Sequence, residues 1–195
     1  AGAAREAARA ARRAGTLGRA PAVSCAARDG AGRRDAVPLT APEDCVLVVI
    51  DAQPGFLAGG DQALERAAWL VRLARDLDVP VIATEEEPER NGATDPRIAL
   101  PPGAPVFTKP TFGLAGTPEI LDAVLATRRP VAVLVGAETD VCVYQSAVGL
   151  LDAGLRPLVV EDAVFAPGEM HERGLTRLRD AGVSSTHCKA LAYEW

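Results

Sequence analysis

The stretch Cys45-Val46-Leu47-Val48-Val49-Ile50-Asp51 decides the architecture. Six consecutive apolar, mostly β-branched residues, with no polar alternation, read as a strand buried on both faces. Such strands belong to parallel sheets covered by helices on either side. The chain downstream supplies the helices. From Asp61 to Asp78, Leu64, Ala67, Val71, Ala74 and Leu77 recur at helical spacing, while Glu65, Arg72, Arg75 and Asp76 fall elsewhere. Val79–Thr84 reads as the next strand, and Glu85–Ala104 as a loop rich in Glu, Pro, Asn and Gly. Pro105–Thr108 is a short strand. Thr117-Pro118-Glu119 opens a helix, with a cap, a proline in the first turn and an acid at the positive dipole end. Val131–Val135 is a strand. A helix from about Asp140 stops at Gly154, Leu158–Val160 is a strand, residues 168–181 are a helix and Val183–Thr186 a last strand. Strand and helix alternate throughout. The expected fold is α/β, a three-layer α/β/α sandwich around a mainly parallel sheet.

Working outward, the bulk numbers bound the rest. With 195 residues and 48% hydrophobic content, one domain with a full core is expected. Residues 41–195 are read as that domain. Residues 1–40 read as an Ala/Arg-rich extension, disordered or loosely attached, because the segment is nearly without large apolar residues to bury. Eight arginines against three acids give residues 1–35 a charge of +5; since the chain totals −5, the remaining 160 residues carry −10. That balance disfavours nucleic acid as a partner. No run of about 18 uncharged apolar residues exists, so no membrane span is expected. Four scattered cysteines with no C-x-x-C pair point to a reducing, cytoplasmic setting rather than a disulfide framework. An Arg-rich, acid-poor start is the alternative sign of organelle targeting. The two histidines, His171 and His187, have no zinc-ligand spacing and read as structural, away from the site.

In open parallel sheets, ligands bind at the carboxyl ends of the strands. Asp51 follows the first strand, Thr84 to Glu87 close or follow the second, and Lys109 follows the third. Glu138, Asp140 and Cys142 follow the fourth. A thiol near a helix start, a carboxylate able to take its proton and a lysine beside that carboxylate make a coherent nucleophilic set. Lysine occurs only twice against 19 arginines, which makes Lys109 at a strand end more informative than an ordinary surface lysine. Amides between Gly136 and Cys142 are candidates for an oxyanion hole.

These segments resemble the isochorismatase-like cysteine hydrolases. VLVVIDAQPGFL carries Asp51 in a D-x-Q-x-x-F pattern, FTKPTFG carries Lys109, VGAETDVCVYQSAVGLLDAG carries Cys142, and LVVEDAV follows. The likeness covers about residues 43–187. It implies Asp51 as general base, Lys109 as its partner and Cys142 as nucleophile, with a cis peptide between Ala137 and Glu138 shaping the oxyanion site. It implies a homo-oligomer acting on a small molecule without a cofactor, by cleavage of an amide or urea-type C–N bond. The isochorismatase branch, which cleaves an enol ether, and a non-catalytic oligomeric member are the alternatives. Metal-dependent nicotinamidases in this family use an Asp and two His after the first strand. Here Asp61–Arg90 contains no histidine, so no metal is expected. Gln53, Phe56, Phe112 and Tyr144 are the substrate-pocket candidates, with Trp69 a further aromatic; Gln53 is read as orienting Asp51 or substrate through its amide.

Overall fold

The structure is a computed structural model that describes residues 39–195. The extension read over residues 1–40 therefore lies almost wholly outside the described residues. Six strands form one sheet in the order β3-β2-β1-β4-β5-β6, and every pairing is parallel. They are β1 (Cys45–Ile50), β2 (Val81–Glu86), β3 (Val106–Lys109), β4 (Val131–Ala137), β5 (Arg156–Phe165) and β6 (Ser184–Thr186). Helices α1 (Asp61–Asp76), α2 (Pro88–Asn91), α3 (Pro118–Ala126), α4 (Tyr144–Asp152), α5 (Met170–Asp180) and α6 (Cys188–Glu194) complete it. No helix among the described residues is long and apolar enough to cross a membrane.

The reason β1 has no polar alternation is visible in its packing. Cys45, Leu47 and Val49 point into a core shared with α1 and α6, whereas Val46, Val48 and Ile50 point into a second core shared with α3, α4 and α5. Both faces are dry, so both alternating sets must be apolar. The strand lies between β2 and β4, with Leu47 opposite Val81 and Val133.

Several boundaries differ from the sequence reading for local reasons. The first helix stops at Asp76, and Asp78 turns into the left-handed region at φ 55°. The second strand starts at Val81 because Pro80 has no N–H for the ladder and serves through its carbonyl, which accepts from Leu47. β5 runs on through Glu161 and Asp162 to Phe165, with a register irregularity opposite Leu134–Gly136. Thr117 occupies the cap position of α3 in an extended conformation, yet its hydroxyl makes no capping bond. The helix expected from Asp140 opens as a wider π turn, Thr139–Val143, before α4. Two short helices, α2 and α6, were not anticipated.

One glycine positions the site. Gly136 has φ 115°, and a Cβ there would lie 1.9 Å from the Ile50 carbonyl oxygen. Only glycine lets β4 run this close to the end of β1. The segment after β4 is thereby brought against the residue after β1, which is Asp51.

Candidate active site

Asp51 is the first residue beyond β1 and adopts φ 43°, a conformation that aspartate tolerates better than most side chains. Its N–H donates to the Thr84 carbonyl at 3.1 Å, and its Oδ1 accepts from Thr84 Oγ1 at 2.8 Å. The carboxyl group is fully buried. Lys109, the last residue of β3, is fully buried too, and its Nζ lies 2.6 Å from Asp51 Oδ2. The ammonium also donates to the carbonyls of Thr111 (3.0 Å) and Phe112 (2.8 Å), so its three protons face three acceptors. Asp51 Oδ2 holds the ion pair without a well-directed hydrogen bond.

Cys142 sits in the π turn, buried, with its thiol within hydrogen-bonding reach of the Asp51 carboxyl. A helix start ordinarily favours a thiolate. The balance in the structure runs the other way: burial, and then the negative charge of Asp51, push the thiol up to about 12. Lys109 and the Glu138 backbone pull it back only in part. Burial and the Asp51 charge thus favour the protonated thiol, and a base beside it is needed to ionise it. Burial also pushes the Asp51 carboxyl above its ordinary value, against the opposing charge of Lys109.

The Ala137–Glu138 peptide bond is cis. The Glu138 carbonyl accepts from the amides of Val141 (3.2 Å) and Val143 (3.0 Å), which anchors the turn that carries Cys142. The Glu138 carboxyl is raised by burial and by the charges of Asp140 and Asp51, so its side chain shares the electrostatic environment of the site.

The remaining sequence candidates divide. Gln53 is buried and spends its whole amide on backbone: Oε1 accepts from the Glu86 N–H at 2.8 Å, and Nε2 donates to the carbonyls of Glu86 (3.1 Å) and Gly92 (2.5 Å). It clips the loop after β2 to the loop after β1, and both of its N–H donors are spent on backbone rather than on Asp51. Phe56 packs against the core under α1. Tyr144 opens α4, half-buried, with the Arg177 guanidinium 3.8 Å from its ring centre. Phe112 is 52% exposed. Trp69 lies on α1 beside Arg66, Asp162, Cys188 and Tyr193, on the α6 side of the sheet, and not next to Cys142. The acidic Glu85–Glu87 run is structural in large part: Glu85 accepts from the Thr94 amide and hydroxyl, and Glu86 accepts from Asn91.

Two further groups lie near the site. Thr84, placed by the sequence at the end of the second strand, carries no assigned role in that reading. His171, assigned a place away from the site, has its Nδ1 3.0 Å from Thr139 Oγ1, in the turn that carries Cys142. It also lines a cleft of about 300 Å³ with Gly60, Arg66, Glu161 and Phe165. His187 is exposed, 3.7 Å from Glu161.

Comparison with known proteins identifies the family and the fold. Residues 45–188 match the isochorismatase domain. Isochorismatase domain-containing protein 2 of Rattus norvegicus is 31% identical over 158 residues, 78% of this chain and 74% of that protein. Among solved structures, the MAR1 ribonuclease of Caenorhabditis elegans superposes with a TM-score of 0.74 at 28% identity, covering 80% of this chain and 83% of that one. The YcaC gene product of Escherichia coli, described as an octameric hydrolase of unknown specificity, gives a TM-score of 0.75 at 25% identity and 80% coverage of each chain. A domain match spanning most of the described residues, on an all-parallel sheet whose strand ends gather a thiol, a carboxylate and a lysine, means that the chain belongs to the isochorismatase-domain family of hydrolases.

Proposed function

We propose that the protein is a cysteine hydrolase of small molecules that cleaves an amide or urea-type C–N bond. The observation that carries this reading is the buried contact of Asp51 with both Lys109 and Cys142. In the proposed reaction the Asp51 carboxylate takes the thiol proton as Cys142 Sγ attacks the substrate carbonyl carbon. The oxyanion forms beside the amides of Glu138 and Cys142. Asp51 then gives its proton to the leaving nitrogen, the C–N bond breaks and a thioester remains. Water, deprotonated by Asp51, hydrolyses the thioester and returns the thiol. Lys109 keeps the carboxylate ionised in a dry site where it would otherwise hold its proton. The acidic charge of residues 36–195 supports a small molecule rather than a polyanion as substrate. The octameric neighbour supports a homo-oligomer here as well, and the three free cysteines among the described residues, Cys45, Cys142 and Cys188, support a cytoplasmic location.

The test is a panel of small primary amides, carbamoyl compounds and ureas, with isochorismate alongside, read by ammonia release. Ammonia from members of the panel is expected. Turnover of isochorismate alone would replace the C–N reading by enol-ether cleavage. A second expectation concerns pH. A base whose carboxyl is raised in the folded protein loses activity on the acid side above the ordinary aspartate value of about 3.9. The profile of kcat/KM should show an acid limb displaced upward from that value, and a limb at or below it would contradict the assignment of Asp51.

A further inference from the structure

Resting on the reading of Asp51 as the base, we propose that Thr84 is the positioning residue that fixes which carboxylate oxygen of Asp51 works. Three observations lead there. Thr84 lies opposite Ile50 in the β1–β2 ladder, so it stands directly beside the residue at which the chain leaves β1. It holds Asp51 twice, accepting the backbone N–H at 3.1 Å and donating its hydroxyl to Oδ1 at 2.8 Å. It is fully buried, and its side chain branches at Cβ, so the hydroxyl has few orientations and no competition from bulk water.

The consequence is a division of labour within one carboxylate. The terminal torsion of an aspartate is broad and nearly two-fold, so the two oxygens are interchangeable unless something distinguishes them. Lys109 marks one of them, with its Nζ 2.6 Å from Oδ2 and its other two protons on Thr111 and Phe112. The Thr84 hydroxyl marks the other, donating to Oδ1 at 2.8 Å. With the hydroxyl on Oδ1 and the ammonium on Oδ2, the carboxylate is held in one rotation, so each oxygen keeps a fixed place relative to the thiol. A hydrogen bond given to the ionised form also opposes the upward push of burial on the carboxyl.

The test does not depend on knowing the substrate. Alkylation of Cys142 by iodoacetamide is followed by peptide mass spectrometry from acid to neutral pH in the wild type and in Thr84→Val, Thr84→Ala, Thr84→Ser and Asp51→Asn, with melting temperatures as control. The Val and Ala variants are expected to move the acid limb of alkylation up by about one pH unit and to lower the plateau several-fold, while Ser, which keeps the hydroxyl, restores the wild-type limb. If Val does not fold, the Ala and Ser pair, which differ by the hydroxyl alone, decides the matter. Coincident limbs in Ala and Ser overturn the role of Thr84. A limb that survives unchanged in Asp51→Asn overturns the base itself. A limb lost in Asp51→Asn yet identical in Ala and Ser rejects Thr84 while leaving the base in place.

Discussion

Cys142→Ala is expected to lower kcat by at least about 10³-fold and to leave the fold intact. The magnitude follows from what the thiol does in the proposed reaction: without a nucleophile no thioester forms, and only direct attack of water remains. The modest structural effect follows from the exchange of one small buried group for another in the core beneath α3, α4 and α5. The other described cysteines offer no substitute. Cys188 is instructive, because its thiol is also pushed up to about 12 by burial and by a neighbouring carboxylate, Asp162. A raised thiol beside an aspartate is therefore not enough. The cation near that pair is Arg66, half-exposed and salt-bridged to Asp162 at 3.5 Å, and Cys188 has no counterpart of a fully buried lysine holding its carboxylate ionised. Initial rates on whichever compound releases ammonia, together with a thermal melt, check the variant. Activity persisting in a folded Cys142→Ala protein would remove the nucleophile assignment.

The second large effect is on stability. Lys109→Met should destabilise the protein by about 3–5 kcal/mol, because it leaves the Asp51 carboxylate buried with its countercharge gone. The penalty should depend on pH with a definite sign. Burial already raises the folded-state carboxyl, and removing the lysine raises it further. The folded state then binds a proton that the unfolded chain has released, so stability falls as pH rises through the window above the ordinary aspartate value, and the variant is least impaired in acid. Asp51→Asn placed on top of Lys109→Met should recover most of the loss, since the double variant buries no charge. Urea titrations of the two single variants and the double variant form the cycle that isolates the pair. Equal pH dependence in wild type and Lys109→Met would refute the account.

What could be read from the sequence, and what could not, follows one physical division. β1 and β4 were legible because burial on both faces forces a continuous apolar run. β5 was legible only as far as Val160, since Glu161 and Asp162 carry charge through a strand that continues to Phe165. The α6 helix was missed because seven residues with two buried positions, Cys188 and Leu191, make too short a pattern. Asp51, Lys109 and Cys142 stood out as reactive groups at strand ends, and the structure brings them into contact. The supporting shell was opaque. That Gln53 serves backbone, that Thr84 aims its hydroxyl at Asp51 and that His171 meets Thr139 all depend on side-chain contacts between distant segments. Residue type alone carries no signal for such partners.

The position of β3 in the sheet has a bearing on durability. This strand is four residues long, forms one edge and is tied to the sheet through β2 alone, from Ala83–Val106 to Glu86–Lys109. Asp51 and Cys142 follow interior strands, whereas the cation that balances them hangs from this outermost seam. Proteins open first where the fewest neighbours hold a segment down. Peeling of that seam would take Lys109 away from Asp51 while the interior of the sheet is still closed. A graft that lengthens or covers β3 is expected to keep Lys109 seated against Asp51 for longer, read as slower hydrogen exchange in that strand.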